Sequence, residues 1–338
     1  MDRSIFIFHS GILTILFILS SCGRQQTADQ SPVDATTDWR YFGQKLPDNN
    51  PRIFSPDIIS TRRNERDITF APAGNVIFYS LVMPANNLNV ILYLSFDGFF
   101  WSKPEIASFS GIYNDLEPSY SPDGKKFFFI SNRPLATGKG TKDYHIWFLE
   151  PEKGWNNPVN VGLPVSSEEK GEYYPSVSSA GNLYFTANYE DSFGEDDIYY
   201  SRFINGKYQS PVNLGEVINS AGYDFNSFIA PDESYLIFSS FGREDEIGGG
   251  DLYIAYSGPG GSWSKPRNLG PMINSDRLDF CPYVTQDEKY LFFTSQRENS
   301  GFKSKQPRKL ADLLELADGI ENGLGNIYWV EFNKNAWK

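Results

Sequence analysis

Short apolar runs separated by turn residues are the dominant pattern along this chain. Between Glu172 and Gly215, four runs rich in Tyr, Phe, Val and Ile are separated by Gly- and Asn-containing turns and by one acidic loop. Aromatic and β-branched side chains favour strands, whereas Gly and Asn favour tight turns, so the pattern indicates consecutive antiparallel strands. The segment therefore predicts one four-stranded sheet, with strands at Tyr174–Ser178, Leu183–Ala187, Ile198–Ser201 and Pro211–Leu214.

The first two strands of this unit recur five times along the chain, at a spacing of roughly 50 to 57 residues. The copies are built on Ile68–Ser80, Pro118–Ser131, Pro175–Ala187, Asn226–Ser239 and Pro282–Thr294. A third strand follows in each copy, and the fourth is marked by an aromatic residue three positions before Pro, as in Trp101 and Pro104. Repeats of this length are typical of propeller blades or solenoid units.

The fifth copy has no fourth strand before the sequence ends at Lys338, whereas Pro51–Phe54 forms an orphan strand ahead of the first copy. A ring that closes with this strand leaves no exposed sheet edge. We therefore expect an all-β propeller of four-stranded antiparallel blades, five in number, closed by an N-terminal strand. This single domain covers residues 51–338, because a sixth blade would need about 50 further residues.

An insertion interrupts the last blade between Glu298 and Gly325. After Pro307, the apolar residues Leu310, Leu313, Leu314 and Ala317 recur at helical spacing, which predicts a short amphipathic helix near residues 305–319. We expect this helix to pack across the rim of the propeller, with docking of a partner as the alternative.

Several motifs resemble a known family of repeats. Ser121-Pro122-Asp123-Gly124-Lys125, followed by the phenylalanines 127–129 and by Ser131-Asn132-Arg133, is similar to the WD-repeat-like propeller repeats of TolB and its relatives. The resemblance covers about residues 51–338 and implies the propeller fold. It implies less about function, because that family includes periplasmic scaffolds and peptide binders as well as propellers attached to enzymes.

The N-terminal segment has the pattern of a bacterial export signal. Residues 1–21 hold an early Arg3 and an apolar run from Gly11 to Leu19, which is too short to span a bilayer. The run ends in Leu19-Ser20-Ser21-Cys22, which resembles the lipoprotein signal; an ordinary secretory signal that contains Cys is the alternative. The resemblance implies lipidation of Cys22. The polar composition of residues 22–50 predicts a tether between this cysteine and the propeller.

Composition narrows the classes of partner. The formal net charge of −12 argues against nucleic acid, because phosphate binding needs a basic face. With Cys22 acylated, Cys281 has no disulfide partner, and we expect a buried free thiol rather than a reactive one. These features predict a lipid-anchored protein of the cell envelope, at the outer membrane, on its periplasmic side or at the cell surface.

Candidate site residues recur at matching positions in the blades. An acidic residue precedes the first strand of every copy, and in three copies an arginine follows the second strand. First strands are innermost in a propeller, so we expect these groups around the channel mouth, on the face that also carries the long loops. They either staple neighbouring blades or form a charged binding mouth. The set is Glu65, Asp115, Glu172, Asp224, Asp279, Arg133, Arg243 and Arg297.

Common catalytic groups are scarce. Only His9 and His145 are histidines, so the sequence predicts neither a zinc site nor a histidine-dependent nucleophile. We expect no cofactor. Calcium is the alternative, because the acidic loops near Glu190 and Glu244 offer carboxylate oxygens. We expect a non-catalytic propeller that binds an envelope protein, a peptide or a glycan at the channel mouth. The alternative is a carboxylate-dependent glycan hydrolase or glycan-binding propeller.

Overall fold

A computed structural model describes residues 37–86, 88–135, 143–166 and 170–338. The predicted signal peptide 1–21, the predicted lipidation site Cys22 and the first part of the tether lie outside the described residues, as does part of the long loop 133–143. No helix within the described ranges combines the length and the apolarity needed to cross a bilayer.

The described chain is all-β, with five four-stranded antiparallel sheets, which confirms the predicted fold class. Strand β1 (Arg52–Ile53) precedes blade one, which contains β2 (Asn64–Phe70), β3 (Val76–Val82), β4 (Asn89–Ser95) and β5 (Glu105–Ile106). Blade two contains β6 (Asp115–Tyr120), β7 (Phe127–Ser131), β8 (His145–Leu149) and β9 (Val159–Asn160). Blade three contains β10 (Glu172–Val177), β11 (Leu183–Ala187), β12 (Asp197–Ser201) and β15 (Val212–Asn213), with a small extra hairpin of β13 (Phe203–Ile204) and β14 (Lys207–Tyr208). Blade four contains β16 (Tyr223–Ile229), β17 (Tyr235–Phe241), β18 (Asp251–Tyr256) and β19 (Arg267–Asn268); blade five contains β20 (Asp279–Val284), β21 (Tyr290–Ser295) and β22 (Asn326–Glu331).

The ring closes as the sequence predicts. Strand β1 pairs antiparallel with β22, so that Arg52 lies opposite Trp329 and Ile53 opposite Tyr328. The first strands β2, β6, β10, β16 and β20 contact each other in turn, and β20 contacts β2. Phe54, directly after β1, is fully buried against Phe292 and Trp329. Closure therefore combines backbone pairing, burial of one large aromatic side chain, and hydrogen bonds of the Ser60 hydroxyl with the backbone of Ile327.

The core consists of aromatic and branched side chains packed between neighbouring sheets. In β7, the three consecutive residues Phe127, Phe128 and Phe129 are all fully buried, because both faces of a blade are covered by its neighbours. This arrangement explains the high aromatic content, since facing twisted sheets are filled by large side chains.

Residues 37–50 lie against the propeller. A short 3-10 helix at Trp39–Tyr41 buries the Tyr41 ring among aromatic side chains of blades one and five. The Trp39 ring stacks on Phe96 with ring centroids 4.4 Å apart, and the indole Nε1 of Trp101 donates to the carbonyl of Trp39. These contacts hold the start of the described chain to the hairpin between β4 and β5. Further 3-10 turns span Pro84–Asn86, Pro151–Lys153, Pro259–Gly261 and Ser300–Lys303.

The insertion in blade five forms one helix, α1 (Leu310–Ala317). Its predicted apolar face is not buried: Leu310 is 71% exposed and Leu314 is 53% exposed. The expectation that this face packs across the rim is therefore wrong. The helix instead places Leu316 against Gly301, and Asn322 donates to the carbonyls of Arg62 and Ala317.

Candidate functional site

The five predicted carboxylates lie at or beside the start of the first strands, and all are buried. Each is hydrogen bonded, and none of the four fully buried ones presents an oxygen to solvent. The fully buried members are Asp115, Glu172, Asp224 and Asp279, and Glu65 is 2% exposed. The structure thus places these groups within the walls of the ring rather than on an open mouth.

In three blades an arginine holds the carboxylate. The Nη2 of Arg133 lies 2.7 Å from Asp115 and donates to the carbonyl of Phe109, while its Nε donates to Ser131. Arg243 and Arg297 repeat this arrangement with Asp224 and Asp279. Each arginine therefore ties the second strand of its blade, the first strand and the loop that arrives from the preceding blade.

In blades one and three the corresponding carboxylate is held by groups other than arginine. Glu172 accepts hydrogen bonds from Ser166 and Tyr189 and lies 3.0 Å from Nδ1 of His145, which stands at the start of β8 in the preceding blade. Glu65 accepts from the backbone and hydroxyl of Thr61 and from Asn326 of blade five. Both glutamates thus connect neighbouring blades.

The electrostatics agree with an architectural role for these groups. Burial raises the pKa of Glu65, Asp115, Glu172 and Asp279, while the hydrogen bonds and cations named above act in the opposite direction. A buried charge that is already paired gains little from a ligand that would first have to displace its partner. Ligand binding by the eight predicted residues stays a prediction, and this geometry favours the staple interpretation.

A second set of five residues, two positions further along each first strand, meets at the centre of the ring. These residues share a positive φ, between 48° and 60°, at the point where the register of the first hairpin shifts. The resulting bulge turns one side chain per blade out of the regular alternation of the strand. The set, called the central cluster below together with Arg66, is Asp67, Glu117, Tyr174, Asn226 and Cys281.

Arg66 connects this cluster. Its Nε lies 2.7 Å from Asp67, and its Nη2 lies 2.8 Å from Glu117 and 3.3 Å from the sulfur of Cys281. Its guanidinium also lies 4.9 Å from the ring centroid of Phe280. One cation from blade one thus bridges its own carboxylate, a carboxylate of blade two and the thiol of blade five.

The remaining members complete the network. The backbone N–H of Tyr174 donates to Glu117 at 2.6 Å, and the Tyr174 hydroxyl donates to the carbonyl of Pro282. The thiol of Cys281 lies 3.5 Å from the side-chain oxygen of Asn226. The cluster therefore links all five first strands across the centre of the ring.

Burial sets the protonation of this cluster. It raises the pKa of Glu117 to about 7, with the neighbouring Asp67 acting in the same direction and Arg66 in the opposite one. Burial likewise raises the pKa of the Cys281 thiol, which disfavours a thiolate nucleophile. Cys281 is a buried free cysteine, as the sequence predicts.

Sequence reasoning missed the central cluster because its members share no chemistry. Only the backbone position recurs, occupied by Asp, Glu, Tyr, Asn and Cys in turn. The one signal in the sequence is that the residue two positions after the repeated carboxylate carries a polar or sulfur atom in every copy, although it lies inside an apolar strand. A buried polar side chain at the same place in every blade needs partners, and here the partners come from the other blades.

Open concave surface lies on the face that carries the tight turns between first and second strands, called the hairpin face below. A cleft of about 670 Å³ runs between the turns of blades two and three, and it is lined in part by Lys126, Phe203 and Tyr208. A narrower depression of about 60 Å³, at the ends of the first strands, shares Pro122, Val177 and Gln286 with this cleft. On this face the channel mouth thus continues sideways into the cleft. The sequence predicts binding on the opposite face, which carries the long loops.

In the long acidic loops on the other face, two aspartates of each loop are held by hydrogen bonds from within their own blade. In blade three, Asp197 accepts from the backbone of Phe193 and from Asn213, and Asp191 accepts from the Tyr199 hydroxyl. Blade four repeats these bonds with Asp251 and Asp245. No group of three or more His, Cys, Asp or Glu side chains in the described part of the chain is arranged to hold a metal ion.

Comparisons with known proteins bear on the fold. No family model matches the chain, and no curated protein matches it in sequence. Among solved structures, a glycoside hydrolase is similar, with a TM-score of 0.51, 9% identity, and coverage of 84% of this chain and 91% of that chain. A protein assigned as TolB from Agrobacterium tumefaciens has a TM-score of 0.47 and 15% identity, with coverage of 80% of this chain and 91% of that chain. TolB from Acinetobacter baumannii has a TM-score of 0.45 and 13% identity, with coverage of 82% of this chain and 56% of that chain. At this level of identity the likeness shows the fold alone.

Proposed function

We propose that this chain is a non-catalytic binding propeller of the bacterial cell envelope, held to a membrane by acylated Cys22, and that it receives a peptide or protein segment on its hairpin face. The observation that carries the proposal is the cleft of about 670 Å³ between blades two and three, which continues into the channel mouth. Concave sites that are mostly apolar with a few placed polar groups are the usual form of ligand pockets.

The chemistry of the cleft supports a ligand with both polar and apolar parts. The ammonium of Lys126 lies 4.7 Å from the ring centroids of both Phe148 and Phe203, and burial lowers the pKa of this lysine. Asp123 and Glu150 also line the cleft. A peptide fits this mixture because its backbone supplies donors and acceptors while its side chains cover aromatic surface.

A thermal-shift screen tests the proposal. A ligand that binds the folded state raises the unfolding midpoint by mass action. We expect a subset of short peptides to raise the midpoint of the wild type and to lose this effect in Lys126→Met. The control variant Tyr223→Ser alters an exposed residue on the opposite face and should keep the shift. Peptides that stabilise Lys126→Met as strongly as the wild type would contradict binding in the cleft.

Glycan hydrolysis is a second candidate, favoured by one observation. The pKa of Glu117 is raised to about 7, which suits a general acid near neutral pH. Asp67 forms an ion pair with Arg66, the same arginine that pairs with Glu117. Against it, Glu117 is only 5% exposed and Asp67 only 1%, and Arg66 holds both. Incubation with oligosaccharides, followed by analysis of reducing ends, decides the matter: hydrolysis that is lost in Glu117→Gln would favour the enzyme.

The membrane anchor is tested separately. The proposal predicts that the mature chain begins at Cys22 and carries acyl groups, which an intact-mass measurement of the protein purified from bacterial membranes would show. Cys22→Ala should move the protein out of the membrane fraction. A mature wild-type chain without acyl mass would contradict the anchor and leave the cleft proposal unaffected.

A further inference from the structure

Two consecutive phenylalanines stand at the tip of the hairpin between β4 and β5. Phe99 is 82% exposed and Phe100 is 76% exposed. Trp39, which stacks on Phe96 of the same hairpin, is 47% exposed. We call Trp39, Phe99 and Phe100 the aromatic tip. None of the three lines the cleft or the narrower depression described above.

The turn that carries the aromatic tip is ordered. One oxygen of Asp97 accepts the backbone N–H groups of Phe99 at 2.8 Å and of Phe100 at 2.7 Å. Gly98 adopts a φ of 103°, a conformation that side chains disfavour. Below the turn, Phe96 and Trp101 pair as an isolated antiparallel β-bridge. The two rings are thus presented by a fixed turn instead of a loose loop.

The other blades provide an internal comparison. The corresponding tip of blade three is Asn205-Gly206-Lys207, and that of blade four is Pro259-Gly260-Gly261-Ser262. These turns fold with polar or small residues, so the propeller does not require phenylalanine at this place. Adjacent exposed aromatic residues therefore point to an interaction outside the blade.

The position of the chain before the propeller indicates what this interaction is. Cys22 precedes Trp39 by 17 positions, which sets an upper limit of about 60 Å on their separation. The carbonyl of Trp39 accepts the indole N–H of Trp101 at 2.9 Å, so the described chain starts beside the aromatic tip. An anchored Cys22 would keep this part of the propeller near the bilayer.

We infer that the aromatic tip inserts into the interfacial region of a lipid bilayer. This inference rests on the anchoring part of the proposed function. Aromatic side chains favour the boundary between headgroups and acyl chains, and stable attachment generally takes a second contact in addition to a lipid chain. The exposed Lys45 and Lys103 flank the tip and suit phosphate headgroups.

Site-specific fluorescence tests this inference. An environment-sensitive fluorophore is attached to Phe99→Cys and, as a matched control, to Lys207→Cys at the tip of blade three. Each full-length protein is expressed, purified from membranes and reconstituted into vesicles of phosphatidylethanolamine and phosphatidylglycerol. We expect a blue shift and quenching by lipid-borne quenchers at position 99, and neither effect at position 207. Wild-type protein carried through the labelling reports any fluorophore on Cys22, since Cys281 is buried.

The outcomes separate this inference from the proposed anchor. Equal signals from positions 99 and 207 would overturn the inference even if intact mass shows acylated Cys22. A blue shift at position 99 that grows with protein concentration before vesicles are added would also overturn it, because a second copy would then cover the tip. A bilayer signal confined to position 99 supports the tip contact even where the mass shows no acylation.

Discussion

At the scale of single residues, Arg66 decides whether the central cluster is stable. It neutralises two buried carboxylates, and removal of one partner from a buried ion pair leaves an uncompensated charge. We expect Arg66→Met to lower the free energy of unfolding by about 3 kcal/mol at pH 8, as measured by urea denaturation.

The control for this prediction is Arg63→Met, because Arg63 is exposed and lies directly before β2, the strand that carries Arg66. Its substitution should change the free energy of unfolding by less than about 0.5 kcal/mol. Equal effects of the two substitutions would show that the cluster does not stabilise the ring.

Glu117 gives the cluster a pH dependence of definite sign. Its pKa is raised from 4.5 to about 7 in the folded protein, so the folded state keeps a proton that the unfolded chain loses in this range. The contribution of this group to stability is therefore present below about pH 4.5 and is lost as the pH rises to about 7, by up to about 3 kcal/mol. We expect Glu117→Gln to flatten the fall in unfolding free energy between pH 4.5 and 7. A variant that keeps the full wild-type slope would contradict the assignment.

The sequence reveals these residues unequally. The acidic position at each first strand is visible in the sequence because its chemistry repeats. Its burial is not visible, because partners such as His145 and Asn326 come from distant segments. The central cluster stays hidden because a bulge with positive φ, which chemistry alone does not announce, redirects Glu117 and its equivalents.

At the scale of elements, the closing strand β1 makes the fifth blade complete. Only two residues pair with β22, so most of the closure energy is expected from burial of the adjacent Phe54. We predict that Phe54→Ala lowers the free energy of unfolding by about 3 to 5 kcal/mol. The exposed Phe99→Ala serves as control and should change it by less than about 0.5 kcal/mol. Denaturation that gives similar values for both would contradict closure by Phe54.

Helix α1 shows where element-level reasoning from sequence succeeds and where it ends. The spacing of Leu310, Leu313 and Leu314 correctly predicts a helix, because a helical period is a local property. What covers its apolar face depends on tertiary contacts, and the structure leaves Leu310 exposed. We therefore expect Leu310→Ser to leave the unfolding midpoint unchanged, a result that a thermal melt would show directly.

At the scale of the whole molecule, the repeat made the fold predictable. Five copies of one unit and one orphan strand determine a closed ring, since only closure satisfies every edge. The position of the open cleft was not predictable, because Phe203 and Tyr208, which line it, belong to the extra hairpin of blade three, and the repeat does not specify that hairpin. Long loops suggested the opposite face, but Asp197 and Asp251 in those loops accept hydrogen bonds from loop backbone and from asparagines of the same blade.

The measurement that tests the central claim most directly is the dissociation constant of the tightest peptide from the screen, determined by calorimetry for three proteins. For binding on the hairpin face, Lys126→Met should weaken affinity at least about tenfold, a loss of about 1.4 kcal/mol, while Tyr223→Ser should match the wild type. The reverse pattern, with affinity kept in Lys126→Met and lost in Tyr223→Ser, would place the ligand on the loop face and contradict the account.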